Sequence, residues 1–244
     1  MKKKMTFHSQ CRQDRIINIL FRGRTGGVFL DIGAHDGISF SNTCFFEKEK
    51  KWTGICIEPN PEIFKQLRSN RGCILENCCV SNKEGKVTFR KVNGPSSMLS
   101  GILDFFDDRH IIRIEHELSV VGGSYEDISI PAKTLEGVLT ENNIMEIDYC
   151  SIDAEGAEFP IIKSIDFDRF SIKSLSVENN YRDMVVRDYL RQKGYYCVSC
   201  GQEDFYIKDR NMTNFLFIAY TAGYSVYCGV KHRIKCVFKW MRRI

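Results

Sequence analysis

"VFLDIGAHDGISFS", residues 28–41, decides how the rest of the chain is read. Apolar residues interrupted by one aspartate run into a turn punctuated by Gly33 and Gly37. That pattern is a buried strand delivering a carboxylate, Asp31, to a glycine turn at its carboxyl end. In open α/β sheets, ligands bind beyond the carboxyl ends of the strands. The spacing D-x-G-x-x-x-G is neither the dinucleotide fingerprint G-x-G-x-x-G nor a P-loop ending in G-K-[ST]. No backbone cradle for a pyrophosphate is spelled out, and an acid stands where phosphates would want cations. This favours a nucleoside-type ligand carrying a cationic group. The turn alone reads equally well as a purely structural one.

The next strand, "TGICIEP" (53–59), ends in Glu58 and Pro59. An acid about 20 residues beyond a glycine turn accepts hydrogen bonds from ribose hydroxyls. Asp31, the turn at Gly33, Ala34 and Gly37, and Glu58 together describe a pocket for S-adenosyl-L-methionine.

The remaining pattern alternates strands with helices, which predicts βαβ units and a doubly wound, mostly parallel sheet covered on both faces, with an antiparallel closing strand. A helix is expected over 9–22, another from Ser41 or Asn42 to Trp52, and a third after Asn60 with Pro61 in its first turn. "CILENCCVS" (73–81) reads as one strand and "GKVTFRKV" (85–92) as its hairpin partner. Residues 93–130 read as a less regular insertion with a short helix and a glycine pair, suited to substrate contacts. "FYIKD" (205–209) and "NFLFIAY" (214–220) read as closing strands. The expected organisation is a helical extension (1–27), a core domain (28–220) and a basic amphipathic tail (221–244).

Of the 244 residues, 43% are hydrophobic and 27% charged, and the net charge is +4. So mild and mixed a charge does not imply nucleic acid. No apolar run reaches the roughly 18 residues of a spanning helix, and the lysines at 2–4 lack the apolar stretch of a secretory signal. The expectation is a cytoplasmic protein. Eleven cysteines, an odd number, fit reduced structural thiols better than a disulfide framework.

Two acidic clusters follow later strands: "IDAEGAE", with Asp153, Glu155 and Glu158, and "SVENNY", with Glu178, Asn179, Asn180 and Tyr181. Both are expected at the sheet edge that carries the glycine turn. There they could hold a substrate hydroxyl, take its proton or chelate a hard cation. The plainer readings are helix capping for Glu155 and Glu158 and a solvated loop acid for Glu178.

"FLDIGAHDGISFSNT", "WTGICIEPNPEIFKQL", "IDYCSIDAEGAEFPIIKSIDF" and "VENNY", in this order, resemble the FkbM family of methyltransferases over roughly residues 28–205. The D-x-E-G-x-E block is the most specific of the four. The resemblance implies a Rossmann-like, class I, S-adenosylmethionine-dependent enzyme that O-methylates a hydroxyl, often on a sugar or glycan-linked molecule. It places Asp31, Gly33, Ala34 and Gly37 around the methionine part of the cofactor. Glu58 and Pro59 fall at its ribose, Asn77 to Ser81 near its adenine, and Asp153 facing the methyl group. His35 departs from the family, where asparagine is usual; it is either a pocket residue or a variant turn residue.

Asp153, with Glu178, is the first candidate for catalytic base, and His110 or His116 of the insertion is an alternative. A second version uses Mg²⁺ held by Asp153, Glu178 and Asn179, as in catechol-type O-methyltransferases. Two other classes stay open at this point: a nicotinamide-linked oxidoreductase on a similar sheet, and a non-catalytic binding protein on a methyltransferase fold. In the tail, Val230, Ile234, Val237, Phe238 and Met241 fall at helical spacing between Lys and Arg residues. They suit either peripheral membrane contact or packing on the sheet.

Overall fold

A computed structural model describes residues 5–200 and 202–241. Its elements, in chain order, are α1 (Gln13–Leu20), β1 (Val28–Ile32), α2 (Cys44–Lys50), β2 (Thr53–Ile57), α3 (Pro61–Asn70), β3 (Ile74–Glu76), β4 (Cys79–Ser81), β5 (Gly85–Asn93), β6 (Gly101–Ile102), α4 (Asp108–Val121), β7 (Ser124–Thr134), α5 (Leu135–Glu141), β8 (Glu146–Ile152), α6 (Glu158–Lys163), β9 (Ser171–Glu178), α7 (Val185–Gln192), β10 (Tyr196–Cys200), β11 (Glu203–Ile207) and α8 (Phe215–Met241).

The larger sheet has seven strands in the order β10-β11-β9-β8-β1-β2-β3. Strands β3, β2, β1, β8 and β9 run parallel, and β11 lies antiparallel between β9 and β10. Successive side chains of a strand point to opposite faces, so β1 feeds two cores. Leu30 and Ile32 pack with Leu135, Ile161 and Leu190 of α5, α6 and α7. Phe29 packs with Ile16, Phe45, Leu67 and Phe217 of α1, α2, α3 and α8. This is a doubly covered, Rossmann-like, mostly parallel sheet with the expected antiparallel closing strand.

Three stretches of the chain depart from the expected elements. Residues 73–81 are not one strand: β3 ends the large sheet, whereas β4 joins a second, four-stranded sheet of order β4-β7-β5-β6. The chain is pinned between them by Asn77, whose Nδ2 donates to the carbonyls of Glu58 and Pro59. The insertion is also far more regular than its sequence, since it contributes the 14-residue helix α4 and much of the 11-residue strand β7. The hairpin partner of β5 is β7, from Gly85↔Ala132 to Asn93↔Ser124, and not the preceding strand. Most of β7 is exposed, so it lacks the apolar pattern that marks a buried strand.

The third correction is "NFLFIAY". It starts helix α8, with the Asn214 Oδ1 accepting from the Phe217 amide as its cap. A stretch apolar at almost every position carries no periodicity to separate strand from helix. The closing antiparallel pair is instead β10 and β11. Cys197 and Cys200, three apart on β10, fall on opposite faces, which removes them as a chelating pair. All ten described cysteines are free thiols. The last part of α8 falls in the tail; the side chains of Val230, Ile234, Val237, Phe238 and Met241 lie outside the described residues. No described helix is long and apolar enough to cross a membrane.

Candidate functional site

The carboxyl ends of β1, β2, β8 and β9 open into one cavity of about 220 Å³. Asp31, Gly33, Ala34, Glu58, Pro59, Asp153 and Glu178 all line it, drawn from segments up to 147 positions apart in sequence. Three contacts lock the strand ends together. The Gly33 and Ala34 amides both donate to the Ile57 carbonyl at 3.0 Å, and the Asp153 amide donates to the Ile32 carbonyl at 3.0 Å. Gly33 has φ +83°, and a Cβ there would lie 1.8 Å from the Asp153 carbonyl oxygen. Only glycine lets the turn pass so close to the end of β8.

Asp31 is buried and accepts from Thr43 Oγ1 at 2.6 Å. Burial pushes its carboxyl up, while the Arg71 guanidinium and the Thr43 hydroxyl pull it down. Arg71 is fully buried in side chain and donates to Glu47, Thr43, Ser41 and the Gly37 carbonyl. It clamps the whole 33–43 turn. Gly37 faces this clamp and Leu67 instead of the cavity, so its part is to shape the turn.

Glu58 is held by the turn it serves. One oxygen accepts the His35 amide at 2.9 Å and the other the Asn60 amide at 2.8 Å. Burial nonetheless pushes its pKa up to about 7. His35 lines the cavity in a left-handed conformation, φ +48°, and its Nδ1 is buried without a hydrogen-bond partner. Asn42, which the sequence reading left aside, also lines the cavity, with a buried Oδ1 that accepts nothing. Towards the third strand the wall is Cys78, Cys79 and Val80. Asn77 and Ser81 flank that wall without facing the cavity; Asn77 braces the Glu58–Pro59 carbonyls, and Ser81 Oγ donates to Asn82.

At the other end, Asp153, Glu155 and Glu178 each bring a carboxylate oxygen within 4.8 Å of the others. Burial pushes all three up, and the Glu178 charge adds to it at Asp153 and Glu155, with Glu155 also raising Asp153. Two buried carboxylates so close repel when both are ionised, which favours one of them keeping its proton. Glu155 is tied to His110 Nδ1 and Arg113 Nη1 of α4, each at 3.3 Å. The insertion therefore reaches the site through its helix. Glu158 behaves as the capping reading expects, accepting from the Ala154 and Gly156 amides. Glu203, raised to about 8 by burial and the Glu178 charge, completes the acidic wall.

Asn179 is not part of this group. Its Nδ2 donates to Asp204 and to the Asp183 carbonyl, and its Oδ1 accepts the Asp183 amide. Its place beside Asp153 and Glu178 is taken by Glu155, which is already committed to two cationic partners. The expected set of Asp153, Glu178 and Asn179 is therefore not assembled; the three carboxylates that do converge are oxygen donors of the kind a hard cation takes, with Glu155 already bearing His110 and Arg113. His110 is no free base either: it is buried, with Nε2 on the Leu99 carbonyl at 3.0 Å and Nδ1 on Glu155.

A second cavity lies on the far side of the same acids. Glu155 and Glu178 line both. Its other walls include Phe105, Phe159 and Tyr181, with Arg109 stacked over Tyr181 and paired to Asp107 and Asp183.

The model of the methyltransferase FkbM domain matches residues 31–197, about two thirds of the chain. The chain belongs to the FkbM methyltransferase family. Among solved structures, the FkbM methyltransferase of Methylobacillus flagellatus KT is similar, at 14% identity over 79% of this chain and 47% of that one, with a TM-score of 0.44. This family member thus spans about half the length of that relative. TrmK of M. capricolum, solved with S-adenosyl-homocysteine, is 12% identical over 99% and 89% of the two chains, with a TM-score of 0.45. The METTL16 methyltransferase domain is 13% identical over 80% and 66%, with a TM-score of 0.42. No curated protein matches the chain.

Proposed function

We propose that this family member transfers the methyl group of S-adenosyl-L-methionine to a hydroxyl of a sugar, glycan or glycolipid. The observation that carries the reading is the acidic wall of Asp153, Glu155 and Glu178, two of whose members face both cavities. One side would hold the methyl donor and the other the acceptor.

The first cavity fits a cationic nucleoside. Asp31 and the unpartnered Asn42 Oδ1 offer acceptors to an ammonium group, Glu58 offers a carboxylate to ribose hydroxyls, and Cys78, Cys79 and Val80 offer an apolar wall to a base. A pyrophosphate would meet Asp31 and Asp153 instead of a glycine cradle, which argues against a dinucleotide. When bound, the cofactor supplies an electrophilic methyl on a positive sulfur. The acids bring complementary charge to that end of the cavity and align the two partners; alignment alone can be worth about 7–11 kcal/mol.

The second cavity offers aromatic faces and carboxylates, while its Arg109 is already paired. That chemistry suits a neutral, hydroxyl-rich ring, which can stack one face and donate from its edge. Burial raises both carboxyls of the Asp153–Glu178 pair, and a raised carboxylate in its ionised form is a stronger acceptor for the proton of the attacking hydroxyl. Asp153 is the residue assigned to that role, with Glu178 as its partner.

Incubation with methyl-labelled S-adenosylmethionine and glycan or glycolipid extracts, followed by mass spectrometry, tests the reading. The expected product is an O-methylated sugar. Binding of S-adenosyl-homocysteine without any transfer would favour a non-catalytic binding role, and no binding at all would overturn the cofactor assignment.

A further inference from the structure

Helix α8 packs on the sheet through one side only. Phe217 and Thr221 are buried and Tyr224 is half-buried, with Thr221's carbonyl receiving the Cys200 thiol. The opposite side presents Phe215, Leu216, Ile218 and Val226, exposed by 82, 67, 57 and 67%. Not one charged residue occurs from Phe215 to Val230. A surface helix ordinarily turns its charged face to water. Here the outer face is as apolar as the inner one, and contiguous exposed apolar surface marks an interaction site.

Arg22, exposed at the end of α1, lines a shallow apolar groove with Ile19, Phe215 and Leu216. In sequence, residues 210–244 hold seven Lys or Arg and no Asp or Glu, whereas the whole chain is only +4. The rest of the chain is therefore net negative, and the positive charge is concentrated in the stretch of sequence that carries the apolar run. A second copy of the chain would bring cation against cation. Anionic headgroups over an acyl interior complement both features, and this is the composition of helices that lie in the membrane interface.

We propose that the outer face of α8 docks the protein on an anionic lipid bilayer. Phe215, Leu216 and Ile218 enter the headgroup boundary, and Arg22 and the basic run hold phosphates. The inference does not depend on the methyl-transfer reading.

The test is co-sedimentation of the full chain with vesicles of phosphatidylcholine alone and of equal phosphatidylcholine and phosphatidylglycerol. The expected result is binding to the anionic vesicles only, weakening as salt shortens the screening length. The double variant Phe215→Asp/Ile218→Asp alters exposed positions, so its thermal melting should match the parent. Its vesicle affinity should fall by about tenfold or more, the change expected when two large apolar side chains no longer leave water. Arg22→Glu should weaken binding and flatten its salt dependence. Failure of the parent to sediment with anionic vesicles at low salt overturns the proposal, as does a double variant that binds equally well. A dimer in solution that the double variant splits overturns it too, by assigning the face to a second copy. Because no methyl donor or acceptor is present, a negative result leaves the methyl-transfer proposal standing.

Discussion

Glu58→Gln separates the cofactor reading from a merely structural one. Burial raises the Glu58 pKa from an ordinary 4.5 to about 7. Between those values the folded protein keeps a proton that the unfolded chain has already released. Glu58's contribution to stability is therefore greatest below pH 4.5 and falls as pH rises through about 7. The total loss is about 3 kcal/mol, at about 1.4 kcal/mol per unit. Ribose hydroxyls that donate to both Glu58 oxygens favour the ionised carboxylate. Cofactor binding then requires the proton to leave, and S-adenosyl-homocysteine affinity should rise about tenfold from pH 6 to pH 8.

Glutamine cannot ionise, and its amide would set an N–H₂ against the His35 or Asn60 amide that Glu58 now accepts. That mismatch costs about 1–3 kcal/mol. The variant should be less stable than the parent at pH 6 and close to it at pH 8, where the parent bears the buried charge. It should bind S-adenosyl-homocysteine at least about tenfold more weakly at pH 8. Its affinity should also lose Glu58's share of the pH slope; Asp31, Asp153 and Glu203 also titrate into the cavity and stay in both proteins. Calorimetric titrations at several pH values, run beside denaturation at the same pH values, measure both effects. Equal affinity and an equal pH slope in the two proteins would refute the assignment of Glu58 to the ribose.

Gly33→Ala should force the ends of β1 and β8 apart, since the new methyl would sit 1.8 Å from the Asp153 carbonyl oxygen. A displacement of about 1 Å at a reacting group can cost about a hundredfold in rate, to be read as a lower melting temperature together with a fall in turnover. Asp153→Asn should lower turnover by about 10²–10⁴ while S-adenosyl-homocysteine affinity changes only a few-fold; turnover at the parental rate would remove Asp153 as the base. Asn60→Ala removes the side-chain cap of α3, which accepts the Glu62 and Ile63 amides, and should cost about 1 kcal/mol in denaturant unfolding.

Much of the site was legible because its residues sit at strand ends, where position along the chain nearly dictates position in space. Asp31 and Glu58 close apolar runs that can only be buried strands, and the missing phosphate-cradle spacing turned the reading from dinucleotides. Arg71 was not legible. It lies at the end of a helix and acts on a turn 30 or so residues earlier, through four donors that no local pattern announces. Asn42 was equally hidden, and His35's place in the pocket stayed one of two readings, because only the folded turn shows which of its polar atoms are left facing the cavity.

Sequence by itself determined the sheet, its glycine turn, and the acids Asp31, Glu58, Asp153 and Glu178, because periodicity and strand-end chemistry are local properties. Tertiary structure alone decided that residues 93–130 join β4 and β5 in a second sheet and send His110 and Arg113 onto Glu155. It likewise decided that Asn179 turns towards Asp183 and Asp204, and that 214–220 begins a helix. Each of these outcomes depends on partners distant in the chain: a strand needs its neighbour, a carboxylate its counter-charge, and a wholly apolar segment the surface it packs against.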